Sequence, residues 1–137
     1  MKIAIAVSDF NLDVTSRMLE RACEHAKELG LEVSHIVHVP GVYDFPLVVK
    51  ALLKREDVEG VAILGAVIKG QTMHDEVIVH STANVVAELA VEFNKPVALG
   101  VTGPGMDRIQ ALQRIDNAKH AVGCVAQLIK TTKALAE

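Results

Sequence analysis

Between Val58 and Ile68 the chain reads Val-Glu-Gly-Val-Ala-Ile-Leu-Gly-Ala-Val-Ile, almost unbroken apolar sequence rich in β-branched residues. A strand of this kind has no polar face to turn to water. It must be covered on both sides, as a central strand of a parallel sheet is when helices lie on each face. The run is also too short to cross a bilayer as a helix, which needs roughly 20 apolar residues.

The flanking sequence supplies the other layers. Lys2–Ser8 and Glu32–Val39 are short β-rich runs, the first ending at polar Asp9-Phe10-Asn11 and the second at Pro40-Gly41. Pro96–Thr102 makes a fourth strand, and Gly103-Pro104-Gly105 reads as a rigid turn after it. Helical spacing marks Thr15–Leu29, with Met18, Leu19, Ala22, Ala26 and Leu29 as its stripe and Gly30 as its C-terminal stop. Phe45–Arg55 reads as a second helix. A third starts with Thr72 as N-cap, Met73 as first residue and Asp75 reaching back to the exposed amides, and runs to Phe93-Asn94. Met106–Ile115 and Asn117–Leu135 close the chain, the latter with Ala118, Val122, Val125, Ile129 and Thr132 on one face. Strands alternating with helices predict one α/β domain over residues 1–137, a four-stranded parallel sheet between helix layers.

Composition narrows the function classes. Half of the residues are hydrophobic, yet only 3 Phe and 1 Tyr occur and no Trp, so Ala, Val, Leu and Ile build the core. A net charge of −3 offers no footprint for nucleic acid or an anionic membrane. The N-terminus passes from Met1-Lys2-Ile3-Ala4-Ile5 to Ser8-Asp9 without the pattern of a signal peptide. Cys23 and Cys124 form neither a CxxC nor a disulfide framework and read as two reduced, buried thiols, which points to the cytoplasm.

In open parallel sheets ligands gather beyond the carboxyl ends of the strands, so the loops after Ser8, Val39, Ile68 and Thr102 matter most. Two of the four aromatic rings, Phe10 and Tyr43, fall in the first two of these loops, where a flat heterocycle can stack on them. The third loop, Gly65 to Glu76, carries glycines ahead of a helix start, whose free amides and positive dipole end suit a phosphate. Gly65, Gly70 and Thr72 have P-loop spacing, but Gln71 stands where the P-loop lysine would be, which argues for a small phosphate monoester over a nucleoside triphosphate. His74 lies in the first turn, where the dipole disfavours an imidazolium and leaves a neutral ring to exchange protons. Arg114 and Lys119, after the fourth strand, are basic residues suited to a phosphate.

Several alternatives lack their residues. The first strand is not followed by GxGxxG, there is no GxSxG elbow, and no loop carries a Cys nucleophile. His74 and His80 are six apart and His35 and His38 lie on a strand, so no helical i, i+4 metal pair exists. A receiver-type signalling domain needs an acidic cluster after the first strand, where only Asp9 is present.

Taken together, Phe10-Asn11, the segment Val39-Pro40-Gly41-Val42-Tyr43-Asp44-Phe45-Pro46, and Leu64-Gly65-Ala66-Val67-Ile68-Lys69-Gly70-Gln71-Thr72-Met73-His74 resemble the lumazine synthases. So does Lys95 to Thr102 leading toward Arg114 and Lys119, and the resemblance covers essentially the whole chain. Gly-x-Thr-x-His is its most specific element. The Gly103-Pro104-Gly105-Met106 segment looks most like archaeal members.

This resemblance implies a flavodoxin-like three-layer fold, a pentamer or a multiple of pentamers, active sites between neighbouring subunits, and neither cofactor nor metal. The implied reaction joins 5-amino-6-(D-ribitylamino)uracil to 3,4-dihydroxy-2-butanone 4-phosphate, giving 6,7-dimethyl-8-ribityllumazine and phosphate. By position, Phe10 would stack on the pyrimidine and Asn11 would help hold it. Val42, Tyr43 and Asp44 would bind ring and ribityl chain, Ala66, Val67 and Ile68 would line the ring's edge, and Leu99 would cover it from the neighbour. Gln71, Thr72 and the neighbour's Arg114 would hold the phosphate, Lys119 would sit near the phosphate or ribityl end, and His74 would shuttle protons. Asp44 stands where many members have Glu, Leu99 where an aromatic is frequent, and Met73 where proline is frequent. The rival readings are an archaeal-type riboflavin synthase, which dismutates lumazine, and a non-catalytic lumazine- or flavin-binding shell protein.

Overall fold

The computed structural model describes residues 1–137. Strand β1 (Lys2–Ser8) is followed by helix α1 (Leu12–Glu28), β2 (Glu32–Val39), a 3₁₀ turn at Val42–Asp44, α2 (Phe45–Leu53), β3 (Gly60–Ile68) and α3 (His74–Phe93). β4 (Val97–Met106), the short α4 (Arg108–Gln113) and α5 (Asn117–Ala136) complete it. The four strands form one all-parallel sheet in the order β2-β1-β3-β4, the flavodoxin-like arrangement.

Alternation along the strands divides the core in two. Ile3, Ile5 and Val7 of β1 and Ala62, Leu64 and Ala66 of β3 face α1, α4 and α5. Ala4, Ala6, Val61, Ile63 and Val67 face α2 and α3. Every residue of β3 but Ile68 is buried, as the apolar run requires of a strand covered on both faces. Burying each large aliphatic side chain contributes roughly 1.5–3 kcal/mol, so the two half-cores hold the layers together without tryptophan.

Element ends differ from expectation where local chemistry outweighs apolar periodicity. Helix α1 begins at Leu12 rather than Thr15, because the Asn11 carbonyl accepts from Val14 N at 3.0 Å and Thr15 N at 3.1 Å. A polar first turn carries no stripe, so periodicity misses it. Leu29 lies outside the buried stripe, while Gly30, with φ 72°, occupies the left-handed position after the helix as read. The 3₁₀ turn at Val42–Asp44 was not anticipated. α2 stops at Leu53, two residues before Arg55.

The largest departure is Gly103-Pro104-Gly105. It does not end the fourth strand but lies within it, as an irregularity where Ile68 pairs with Met106 after Ala66 has paired with Thr102. Gly103 has φ 111°, and a Cβ there would come within 2.6 Å of Val67 O. β4 is an edge strand, and Pro104 falls where its register with β3 is interrupted, so the missing N–H breaks no regular pairing. Met106 consequently belongs to β4, and α4 starts at Arg108, capped by Asp107 and Gln110. The two cysteines are free but only partly buried, and burial pushes the Cys23 thiol up, away from the thiolate a nucleophile needs. No helix is long and apolar enough to cross a membrane.

Candidate active site

Three strand exits converge on one cleft of about 400 Å³, lined by Phe10 and Asn11 after β1, Gly41 to Tyr43 after β2, and Ala66 to Ile68 at the end of β3. Gly70, Thr72, His74, Asp75 and Ile78, from the loop into α3 and its first turns, form the remaining wall. The 3₁₀ turn approaches β3 closely only because position 65 is glycine. A Cβ there would sit 2.6 Å from Val42 Cγ2 and 2.9 Å from Ser8 Oγ.

Both rings at the strand exits stand free of the core: Phe10 is 74% and Tyr43 66% exposed. A planar ligand can therefore lie against them without displacing core contacts. Asn11 takes a left-handed backbone, φ 65°, and its Nδ2 donates to Ala66 O at 2.9 Å, tying the first loop to the third. The cleft floor at Ala66 and Val67 is apolar and its rim is polar, the usual build of a small-molecule site.

The helix start differs in detail from the expected capping box. Met73, not Thr72, occupies the cap position, and the Thr72 hydroxyl accepts from His74 N at 3.4 Å. Asp75 does not reach back to the helix amides. Its side chain is buried, and Oδ2 accepts from Gly105 N at 2.8 Å across the cleft's base. The irregularity in β4 creates this acceptor's partner, because it turns the Gly105 amide toward α3 instead of along the sheet.

Nine of the sequence-derived residues share this cleft: Phe10, Asn11, Val42, Tyr43, Ala66, Val67, Ile68, Thr72 and His74. Five do not line it. Asp44 accepts from Gly41 N at 2.9 Å and faces an adjoining groove with Tyr43, Pro46, Leu47, Ser81, Thr82 and Val85. Gln71 is exposed beside the loop. Leu99 is half exposed on the edge strand, Arg114 follows α4 with Nη1 on Gln110 O at 3.1 Å, and Lys119 is in the first turn of α5.

Two charged residues at or beside the cleft have roles that the sequence does not show. One is Asp75 in the role just described. The other is Arg108, which donates to Asn11 Oδ1 at 2.9 Å and to Asp13. Its position immediately after the Asp107 cap was the available signal. No three His, Cys, Asp or Glu side chains converge as a metal site requires.

Comparison with known proteins concerns the chain as a whole. Residues 1–136 match the family 6,7-dimethyl-8-ribityllumazine synthase. The chain is 49% identical to the 6,7-dimethyl-8-ribityllumazine synthase of Pyrobaculum arsenaticum, an alignment covering 100% of this chain and 92% of that one. It is 50% identical to the enzyme of the same name from Staphylothermus marinus, over 99% and 91% of the two chains. For the one from Methanocaldococcus jannaschii the identity is 45%, over 100% and 97%.

Proposed function

The chain belongs to the 6,7-dimethyl-8-ribityllumazine synthase family, and from that premise we propose that the strand-end cleft is where this transferase of riboflavin biosynthesis joins its two substrates. These are 5-amino-6-(D-ribitylamino)uracil and 3,4-dihydroxy-2-butanone 4-phosphate, and the products are 6,7-dimethyl-8-ribityllumazine, phosphate and water. The observation that carries the reading is the convergence of Phe10, Asn11, Thr72 and His74 on one cleft at the sheet's carboxyl edge.

The pyrimidine stacks on Phe10, its edge against Ala66, Val67 and Ile68, with Asn11 as a polar partner. Its ribityl chain follows Val42, Tyr43 and Asp44. The phosphate of the second substrate rests at the start of α3 by Gln71 and Thr72, where unpaired amides and the helix dipole favour an anion. Imine formation, phosphate elimination, tautomerisation and ring closure each move protons, and His74 is the group in the cleft that takes and returns them. Both substrates are intrinsically reactive, so holding them together supplies much of the acceleration.

Leu99, Arg114 and Lys119 lie outside the cleft, and a second subunit that offers its β4 edge and α5 start would complete it. We place the protein in the cytoplasm as a pentamer or a multiple of pentamers, one domain per chain, with each site shared by two neighbours. Exposed Leu47, Val77 and Ile109 provide apolar surface for such contacts.

The test is direct. Purified protein given both substrates, without added metal or nucleotide, forms the fluorescent lumazine and releases phosphate. Lumazine supplied alone is not converted to riboflavin; conversion would assign the chain to dismutation instead.

A further inference from the structure

Arg108 lies outside the cleft but is bonded to a residue that lines it. Its Nη2 donates to Asn11 Oδ1 at 2.9 Å, and Nη1 donates to both carboxylate oxygens of Asp13 at 2.6 Å. On the other side of the amide, Asn11 Nδ2 donates to Ala66 O at 2.9 Å. Both partners act in one direction only: a guanidinium has no acceptor and a carbonyl has no donor. Between them they decide which end of the Asn11 amide is oxygen and which is nitrogen, a choice that shape alone leaves open. The backbone of Asn11 is fixed as well, in the left-handed region that asparagine tolerates better than most residues.

We propose that Arg108 is a positioning residue for pyrimidine recognition. By holding Asn11 Oδ1 it directs the remaining amide N–H of Asn11 at a carbonyl oxygen of the pyrimidine substrate. This inference rests on the functional reading above. Nδ2 carries two hydrogens, one engaged by Ala66 O, so one is left for a ligand. Oδ1 already accepts from a cation, which makes a ring N–H the poorer partner for this residue. Asp13 serves the arrangement by fixing the guanidinium's direction. The Arg108–Asp13 pair is about half exposed and contributes little to stability by itself. The planar fork serves Asp13 and Asn11 with separate nitrogens, which an ammonium cannot reproduce.

A simple staple between the starts of α1 and α4 would use the same bonds, so the experiment separates the two roles. Arg108→Met and Arg108→Lys are assayed for the KM of each substrate, for kcat, and for the Kd of 6,7-dimethyl-8-ribityllumazine by its fluorescence. In Arg108→Met the pyrimidine KM and the lumazine Kd rise about tenfold, the scale of one lost hydrogen bond between an amide and a carbonyl. The KM for the butanone phosphate does not change, and Arg108→Lys recovers part of the loss. Should Arg108→Met fail to assemble, Asp13→Ala, which leaves the guanidinium without its anchor, must raise the pyrimidine KM in the same sense by a smaller factor. Equal increases in both KM values, or an unchanged pyrimidine KM in the folded variants, would overturn the proposal while leaving the enzyme assignment standing. Wild-type protein that makes no lumazine would overturn the assignment and this inference with it.

Discussion

His74 stands exposed in the first turn of α3, and the cleft it lines is also lined by Phe10 and Thr72. If it moves protons in the reaction, His74→Ala should lower kcat by about tenfold or more, since general acid–base groups contribute roughly 10²–10⁴ and water replaces part of that. The Kd for the lumazine should change far less. An unaltered kcat in a correctly assembled variant would remove His74 from the mechanism. At this scale the sequence spoke clearly for residues whose meaning is local: an aromatic at a strand exit, or a histidine at a helix start. It was silent on the bond between Arg108 and Asn11, which lie 97 positions apart. The Asp107 cap marks where α4 starts, but the pairing itself arises only where the start of α4 meets the N-cap of α1. Asp75 misled for a related reason, since a carboxylate early in a helix is a good capping residue until an amide from another strand comes within its reach.

Elements answer to one another through a few contacts that can be tested singly. Lys95 Nζ donates to Leu53 O and Arg55 O, both at 2.8 Å, and so closes the carbonyl end of α2 with a cation. Lys95→Met should destabilise the fold by about 1.5–3 kcal/mol, the range for hydrogen bonds to a charged group, measured as a shift of the urea midpoint. Activity per folded molecule should be preserved. Gly65→Ala should lower both stability and activity. Its new methyl presses on Val42 and Ser8 at a cost of about 1–3 kcal/mol, and it also pushes out the turn that carries Tyr43 and Asp44. Substrate KM should therefore rise even at temperatures where the protein stays folded. The four strands were legible because β3 has no polar face and the others end in turn residues. The far end of β4 was not, because glycine and proline signal a turn and a strand irregularity alike, and pairing with Ile68 decides between them.

Across the whole molecule, charge and assembly set the conditions of operation. Glu59 accepts from Lys2 N at 2.6 Å and Lys133 Nζ at 2.7 Å, joining β1, β3 and α5. The Lys133 ammonium, then the Lys2 amide, hold its carboxyl below the ordinary value of 4.5. Asp13 beside Arg108 and Asp57 beside Arg55 are shifted the same way. A depressed carboxylate stabilises the fold at neutral pH, and this contribution fades as pH falls below the ordinary value and through the lowered one. Glu59→Gln should consequently be less stable than wild type at pH 7, with the gap in urea midpoint narrowing toward about pH 3. Equal gaps at both pH values would show that the charge is not what matters. Shared sites have their own signature. If His74 and Arg114 of one site belong to different subunits, His74→Ala and Arg114→Ala chains, each poorly active, should regain activity when unfolded, mixed equally and reassembled. In a head-to-tail ring about a quarter of the interfaces then pair two intact residues. Mixed rings without recovered activity would exclude the shared geometry. Assembly was the least legible level, because the residues that would meet a neighbour look like ordinary surface in a single chain.

The chain has no tryptophan and a single tyrosine, and that tyrosine, Tyr43, stands two-thirds exposed on the wall of the cleft. Its ultraviolet emission is thus a built-in optical reporter placed at the proposed site. A heterocycle bound in contact with the Tyr43 ring would change that emission directly, so occupancy can be titrated on unlabelled protein. Unfolding, by contrast, changes the surroundings of a ring already in water very little. A melt followed by tyrosine fluorescence would be nearly blind to denaturation and sensitive to binding, the reverse of what tryptophan-rich proteins give.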